Sequence, residues 1–200
     1  MNRIEAIYSL INENDRVVDV GCDQAKLALM LSKRGQSSIA SDISEKVIQK
    51  AKENIKSDLI DLRVSDGLSN IKEGEADTLV LSGMGTHTII DILSNTKLVF
   101  NKIITISNNY HDILRTKMND LNYKVDSEQI IKENNKYYNL IVFVRGKKDY
   151  SDYEINFGLN HKDKKLYQEY LDMLKNKYLK IKNTSNGKNP KIDKLLDLLK

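Results

Sequence analysis

The feature that most constrains this chain is a regular alternation of short apolar stretches with helical patterns. Five strand-like stretches occur within the first 110 residues: "RVVDV", "SIASDIS", "LRVSDGL", "DTLVLSGMG" and "KIITISNN". Apolar runs of this kind suit a parallel sheet whose two faces are both covered by helices, because such strands need no polar face. The sequence therefore predicts an α/β fold with a doubly wound, mostly parallel sheet.

The rhythm changes in the last third of the chain. The segment "YKVDSEQIIKENNKYYNLIVFVRG" has two apolar stretches around a polar turn, which predicts a β-hairpin that ends the sheet in antiparallel pairing. We predict one α/β domain over residues 1–158 and a C-terminal, coiled-coil-like helical hairpin over residues 159–200, with "NTSNGKN" as its loop and Pro190 at the start of its second helix. Apolar residues at helical spacing support this hairpin: Leu166, Tyr170, Leu174, Tyr178, Ile181, Ile192, Leu195, Leu196 and Leu199.

Composition excludes several classes of protein. No apolar run reaches the length of a membrane span, and the N-terminal stretch "MNRIEAIYSLINEN" carries acidic and polar residues where a signal peptide needs an apolar centre. We therefore expect a cytoplasmic protein. The chain has one cysteine and three histidines, so we expect neither an internal disulfide nor a bound metal.

Glycines and polar residues follow four of the predicted strands. In doubly wound sheets, ligands bind beyond the carboxyl ends of the strands, where the strand order reverses. The positions at or next to these ends are therefore the predicted cofactor-binding residues: Asp19, Gly21, Cys22, Asp23, Asp42, Ile43, Asp66, Gly67, Ser82, Gly83 and Met84.

The acids in this set help to select the cofactor. The dinucleotide fingerprint needs three glycines, whereas only Gly21 is present, and Asp23 would repel a pyrophosphate. S-adenosylmethionine has no phosphate and carries two cationic groups, so acidic residues suit it. Asp42 is placed to bind ribose hydroxyls and Asp66 to meet the adenine. The alternatives are a polar strand end for Asp19, a helix N-cap for Asp23 and turn formation for the other two acids.

The chain lacks residues that two kinds of base methylation require. Its only cysteine is Cys22 and its only proline is Pro190, so the stretch after the fourth strand offers neither a nucleophile for pyrimidine carbon 5 nor a proline-containing clamp for an exocyclic amine. A ring nitrogen differs, because its in-plane lone pair can attack the methyl group without prior deprotonation. Positioning then supplies most of the catalysis.

Four stretches, in this order, resemble the bacterial tRNA (adenine-22 N1)-methyltransferases, the TrmK family: "VVDVGCDQAKLAL", "GEADTLVLSGMG", "NNYHDILRTKMNDLNYKV" and "IIKENNKYYNLIVFVRG". The resemblance covers about residues 1–158. It implies a Rossmann-like, class I S-adenosylmethionine-dependent methyltransferase that modifies N1 of adenine 22 in tRNA. The family's first motif, D-I-G-S-D-H-A-Y-L-P, is matched by Asp19, Gly21, Asp23, Ala25 and Leu27.

The chain also departs from the family's motifs, at Cys22, Gln24, Lys26, Ala28 and Thr86. We interpret Cys22, in place of serine, as a packing residue. Gln24 replaces a histidine, so either a general base is lost or no base is needed and the amide binds an edge of the adenine. His87 is interpreted as a capping or surface residue.

The resemblance and the chemistry together give the predicted catalytic residues. Asp23 lies where it can stabilise the positive charge that develops on the methylated adenine. Gln24 and Asn109 complete the set; Asn109 is the one residue left of the family's Q-P-N motif after the fifth strand.

Charge suggests a partner. Residues 1–150 carry 21 basic and 21 acidic side chains, whereas residues 151–200 carry 11 and 7. The excess of basic side chains in residues 151–200 is compatible with binding to the polyanion tRNA, although the solvated surface of an ordinary helix has a similar charge pattern. We predict a tRNA partner and a monomer or weak dimer. The alternative functions are a small-molecule or protein methyltransferase on the same fold, or a binding module for S-adenosylmethionine or RNA without catalysis.

Overall fold

The computed structural model describes residues 1–159, 161–184 and 189–200. Its helices and strands alternate through most of the chain. The helices are α1 (Arg3–Ser9), α2 (Lys26–Lys33), α3 (Glu45–Asn54), α4 (Thr86–Ser94), α5 (His111–Asp120), α6 (Asp152–Phe157), α7 (Lys164–Thr184) and α8 (Pro190–Leu198). The strands are β1 (Val17–Val20), β2 (Ser38–Asp42), β3 (Ile60–Val64), β4 (Thr78–Met84), β5 (Lys102–Ser107), β6 (Tyr123–Glu133) and β7 (Lys136–Arg145).

The seven strands form one sheet in the order β3-β2-β1-β4-β5-β7-β6. The neighbours among β1 to β5 pair in parallel, and β7 lies antiparallel to both β5 and β6. The chain builds outward from β1 to β3 and then returns to place β4 on the other side of β1. The predicted fold class is confirmed, and the strand order reverses between β1 and β4, which is where such sheets bind ligands.

Helices cover both faces of the sheet, as the apolar strands require. Along β1, Val18 and Val20 pack in the same apolar cluster as Ile89 of α4, while Val17 packs with Leu27 of α2 on the other face. Successive side chains of a strand point to opposite faces, so a four-residue strand can serve both layers of core.

Some boundaries differ from the sequence prediction. Helix α1 ends at Ser9, before the last apolar residues of its pattern, and α2 begins at Lys26 rather than at Gln24. Helix α6 was not predicted. Its signal was the sequence "SDYE", because Ser151 and Glu154 form a capping box in which each side chain accepts a hydrogen bond from the other's backbone N–H.

The two C-terminal helices pack on each other and on the rest of the chain. Tyr170 and Leu171 of α7 share an apolar cluster with three residues of α8, and with Ile130 of β6 and Phe157 of α6. The apolar stripe therefore does more than join the two helices. Part of the predicted loop "NTSNGKN", residues 185–188, lies outside the described residues, and the division of the chain at residue 158 stays a prediction.

Candidate functional site

The carboxyl ends of β1, β2 and β3 are joined by backbone hydrogen bonds. The N–H groups of Gly21 and Cys22 donate to the carbonyl of Ser41, at N···O distances of 2.8 and 3.0 Å. The N–H of Ser65 donates to the carbonyl of Asp42 at 2.9 Å. These contacts bring predicted site residues from neighbouring strands to one edge of the sheet, which we call the strand-end lip.

Asp42 holds two parts of this lip together. One carboxylate oxygen accepts from the N–H of Ser44 at 2.9 Å, and the other accepts from the N–H of Asp23 at 3.3 Å. The acid therefore forms a local turn, as the alternative interpretation held. Each carboxylate oxygen can accept a further hydrogen bond, so the same side chain can also bind hydroxyl groups of a ligand.

The loop after β1 has an unusual backbone. Gly21, Asp23 and Ala25 have φ angles of 76°, 47° and 50°, and left-handed non-glycine residues are uncommon and concentrate at functional sites. The alternative role of Asp23 as the N-cap of α2 is wrong, because the N-cap is Ala25 and no side chain caps the helix. Asp23 and Gln24 are exposed instead.

The end of β4 touches the end of β1. A side-chain carbon placed on Gly21 would lie 3.0 Å from Cε of Met84, so a larger residue there would displace the methionine or the loop. Between Ser82 and Met84 the pairing with β5 shifts, and Gly83 occupies this irregularity with a φ of 84°. The side-chain amide of Asn108 donates to the carbonyl of Gly83 at 3.1 Å.

Thr86 fixes the turn that follows β5. Its hydroxyl donates to the carbonyl of Asn109, and its N–H donates to Oδ1 of Asn109 at 3.3 Å. Within the described residues, Nδ2 of Asn109 makes no protein hydrogen bond and is thus available to a ligand. His87 is exposed, and its ring centroid lies 5.7 Å from that of Tyr110.

The central electrostatic feature of the lip is Asp19. The residue lies within β1 and is 7% exposed, and its carboxylate has no hydrogen-bond partner among the described residues. Burial, and then the negative charge of Asp42, raise the pKa of Asp19 to about 7. An acid in this position favours a cationic ligand, which would supply the missing counter-charge.

Cys22 is the only cysteine of the chain, and its thiol is buried beside these acids. Burial and the charges of Asp19 and Asp42 raise the pKa of the thiol to about 12. The thiol stays protonated at neutral pH, where it is a poor nucleophile. The structure thus agrees with the interpretation of Cys22 as a packing residue.

Predicted cofactor residues line two separate hollows. Asp66 and Gly67 line a depression of about 670 Å³ with Thr88 and Ile92 of α4. Asp23 instead lines a groove of about 530 Å³ between α2 and α3. Ile43, which follows Asp42 at the lip, is 68% exposed.

Two features are absent from residues 1–159, 161–184 and 189–200. No cluster of three or more His, Cys, Asp or Glu side chains there is arranged to bind a metal ion. No helix there has the length and apolar character needed to cross a membrane.

Comparison with known proteins identifies relatives of this chain. A family model described as a methyltransferase domain matches residues 1–141. The tRNA (adenine(22)-N(1))-methyltransferase of Bacillus subtilis is 30% identical over 156 residues, which cover 74% of this chain and 66% of that protein. The chain thus spans just under two thirds of that relative's length. A ribosomal protein L11 methyltransferase of Thermotoga neapolitana is 41% identical, over 35% of this chain and 27% of its own length.

Solved structures extend the likeness to the whole chain. The structure of M. capricolum TrmK in complex with S-adenosylhomocysteine is 28% identical, with a TM-score of 0.85, and the match covers 100% of this chain and 99% of that one. A Listeria monocytogenes protein of 25% identity gives a TM-score of 0.89, covering 100% and 97%. The resemblance to the TrmK family, predicted from the motifs, is confirmed.

Proposed function

The chain belongs to the family of methyltransferase domains, and from this premise we propose that it methylates N1 of an adenine in tRNA with S-adenosylmethionine as the methyl donor. The B. subtilis relative is a tRNA (adenine(22)-N(1))-methyltransferase, and M. capricolum TrmK was solved with S-adenosylhomocysteine, the product of that donor. These likenesses support adenine 22 as the target.

The observation that carries the proposal is the buried, uncompensated carboxyl group of Asp19. S-adenosylmethionine supplies an electrophilic methyl group on a cationic sulfur and also carries an ammonium group. Either cation would stabilise the charged form of Asp19 and offset the cost of burying it. A phosphate-bearing cofactor would meet Asp19, Asp23 and Asp42 as like charges.

The other lip residues have assigned roles in this proposal. Asp42 accepts hydrogen bonds from the ribose hydroxyls while it holds the loop after β1. Ile43, whose side chain is exposed, and Asp66 contact the adenine of the cofactor. The remaining residues let the backbone approach the cofactor closely: Gly21, Cys22, Gly67, Ser82, Gly83 and Met84.

Residues around the target adenine act by positioning it. The N1 lone pair of the adenine forms a bond to the methyl carbon as the S–CH₃ bond breaks, and the sulfur keeps that electron pair. No proton moves in this step, so Gln24 can occupy the family's histidine position and hydrogen-bond the base. Asn109 offers its amide Nδ2, and Asp23 stabilises the positive charge left on the methylated base.

The tRNA partner also involves the C-terminal helices in this proposal. Lys162, Lys164 and Lys165 are exposed at and before the start of α7, and no acid pairs with them among the described residues. They would contact phosphates of the tRNA. A cytoplasmic location and a monomeric or weakly dimeric state belong to the same proposal.

Labelled S-adenosylmethionine tests the function directly. Incubation with tRNA should place the label in 1-methyladenosine, and a tRNA with guanine in place of adenine 22 should take up none. Gln24→His should change the rate by less than about threefold, since no base is needed. Label in protein or in a small molecule, or no transfer to any tRNA, would overturn the proposal.

A further inference from the structure

A groove between α2 and α3 opens beside the strand-end lip. It has a volume of about 530 Å³, and Asp23 and Gln24 form the end of its lining that belongs to the lip. Three lysines line it further along: Lys26, Lys46 and Lys50. The remaining lining is mostly apolar and consists of Leu29, Val47, Ala51 and Ile55, with Asn54.

The helical geometry explains why the lysines face one hollow. Lys46 and Lys50 are four residues apart on α3, so they lie on the same side of that helix. Val47, Ala51 and Ile55 follow the same spacing along the neighbouring stripe, which supplies the apolar floor. Lys26 is the first residue of α2 and supplies the third charge from the opposite wall.

These lysines have no internal counter-charge. All three are exposed, and within the described residues none of them forms an ion pair, whereas lysines such as Lys132 and Lys148 pair with glutamates. Lys26 also lies at the positive end of the α2 dipole, and the first turn of that helix contains no acid. A cation is unfavourable there, so helix stability does not explain its position.

We propose that this groove binds the phosphodiester backbone of an RNA strand next to the adenine to be methylated. The proposal rests on the proposed function, because it takes RNA as the substrate. Lysines along a concave surface attract phosphates, and an apolar floor accommodates a ribose or a base. The charge changes sign at Asp23, so the phosphates stay in the groove and the base can extend toward the lip.

Two matched variants of the full chain test the groove. One carries Lys26→Gln, Lys46→Gln and Lys50→Gln. The control carries Lys33→Gln, Lys52→Gln and Lys56→Gln, which remove the same charge from the opposite ends of α2 and α3 or just beyond them. Fluorescence anisotropy with tRNA over a range of salt concentrations should show that the slope of log K against log salt falls by about three units in the first variant. The control should keep the wild-type slope.

The outcomes separate the groove from the proposed function. Equal slopes in the two variants, or no tRNA binding by the wild type, would overturn the groove. Wild-type protein that binds tRNA through the groove but transfers no methyl group would overturn only the proposed function. Methyl transfer with the same KM for tRNA in both variants would overturn only the groove. Calorimetry with S-adenosylmethionine and thermal melting should give wild-type values in both variants, which shows that the fold is intact.

Discussion

Two buried carboxyl groups in this protein have opposite surroundings. Glu128 of β6 has a fully buried side chain and accepts hydrogen bonds from Arg115 at 2.8 and 2.6 Å. Asp19 of β1 is buried as well, but among the described residues no cation or hydrogen-bond donor reaches its carboxylate. The charge of a buried acid that has its own cation is compensated within the protein. A buried acid without a cation can instead be compensated by a cationic ligand.

The Glu128 site joins parts of the chain that are far apart in sequence. Arg115 of α5 also donates to the carbonyl of Ile155 in α6, at 2.8 Å, and the ring of His161 stacks on Tyr167 of α7 at 3.9 Å. Burial lowers the pKa of Arg115, but the charge and hydrogen bonds of Glu128, together with Tyr170 and Tyr167, raise it overall. Burial and the charge of Arg115 lower the pKa of His161 to about 4, so His161 is neutral at pH 7 and adds no charge next to Arg115 and Glu128.

Burial raises the pKa of both acids, but the charge and hydrogen bonds of Arg115 oppose this rise at Glu128. An ordinary aspartate has a pKa of 3.8, and Asp19 in the folded chain has a pKa of about 7. Between these values the folded state binds more protons than the unfolded state, so the free energy of unfolding falls as the pH rises. The stability cost of ionising Asp19 is absent at lower pH and complete above the folded-state pKa. A bound cation therefore stabilises the folded state most at that higher pH.

Breaking the buried ion pair should produce the largest effect. Arg115→Ala leaves Glu128 buried without a partner and should lower the free energy of unfolding by roughly 3–5 kcal/mol, measured by urea denaturation. The double variant Arg115→Met, Glu128→Leu should recover most of that loss. A loss below about 1 kcal/mol would mean that buried Glu128 does not depend on Arg115 for compensation. The proposed difference between Glu128 and Asp19 would then be wrong.

Removing the carboxylate of Asp42 should weaken cofactor binding. Asp42→Ala should weaken S-adenosylmethionine binding by roughly 1.5–3 kcal/mol, because two ribose hydroxyls lose a charged acceptor. Glu45→Ala, which removes the same charge from the first turn of α3, is the control and should bind normally. Unchanged affinity for the Asp42 variant in calorimetry would place the ribose elsewhere.

The tail lysines should affect RNA binding alone. Changing Lys162, Lys164 and Lys165 to glutamate should weaken tRNA binding and lower its salt slope by about one unit for each lost phosphate contact. Asp163 is kept, because its carboxylate accepts from the N–H of Leu166 and caps α7. Calorimetry should give the wild-type affinity for S-adenosylmethionine. If the variant and the wild type bound tRNA with equal affinity at all salt concentrations, the C-terminal helices would have a structural role only.

The strand-end lip was predictable because its residues follow strands that can be recognised one at a time. Parallel strands bring their carboxyl ends to one edge, so Gly21, Asp42 and Gly83 could be assigned to it from local patterns alone. The raised pKa of Asp19 was not predictable, since it depends on what surrounds a side chain rather than on the strand that carries it.

The sequence did not predict the features that depend on how helices pack. Lys26 and Lys46 belong to different helices, and no local pattern says that they line one groove. The pairing of Arg115 with Glu128 likewise joins a helix to the strand after it, and each residue alone reads as a surface charge. The left-handed backbone at Asp23 and Ala25 was missed for another reason, because few non-glycine residues adopt it and alanine is not among the types enriched there.

Proton release on cofactor binding tests the central claim most directly. If the acidic lip receives a cationic methyl donor beside Asp19, the carboxyl group must lose its proton when S-adenosylmethionine binds near neutral pH. Calorimetry in buffers of different ionisation enthalpy should show release of a fraction of one proton near pH 7, and affinity should rise from about pH 6 to about pH 8. Asp19→Asn should abolish both effects. Affinity that is independent of pH in the wild type, with no proton release, would contradict the account.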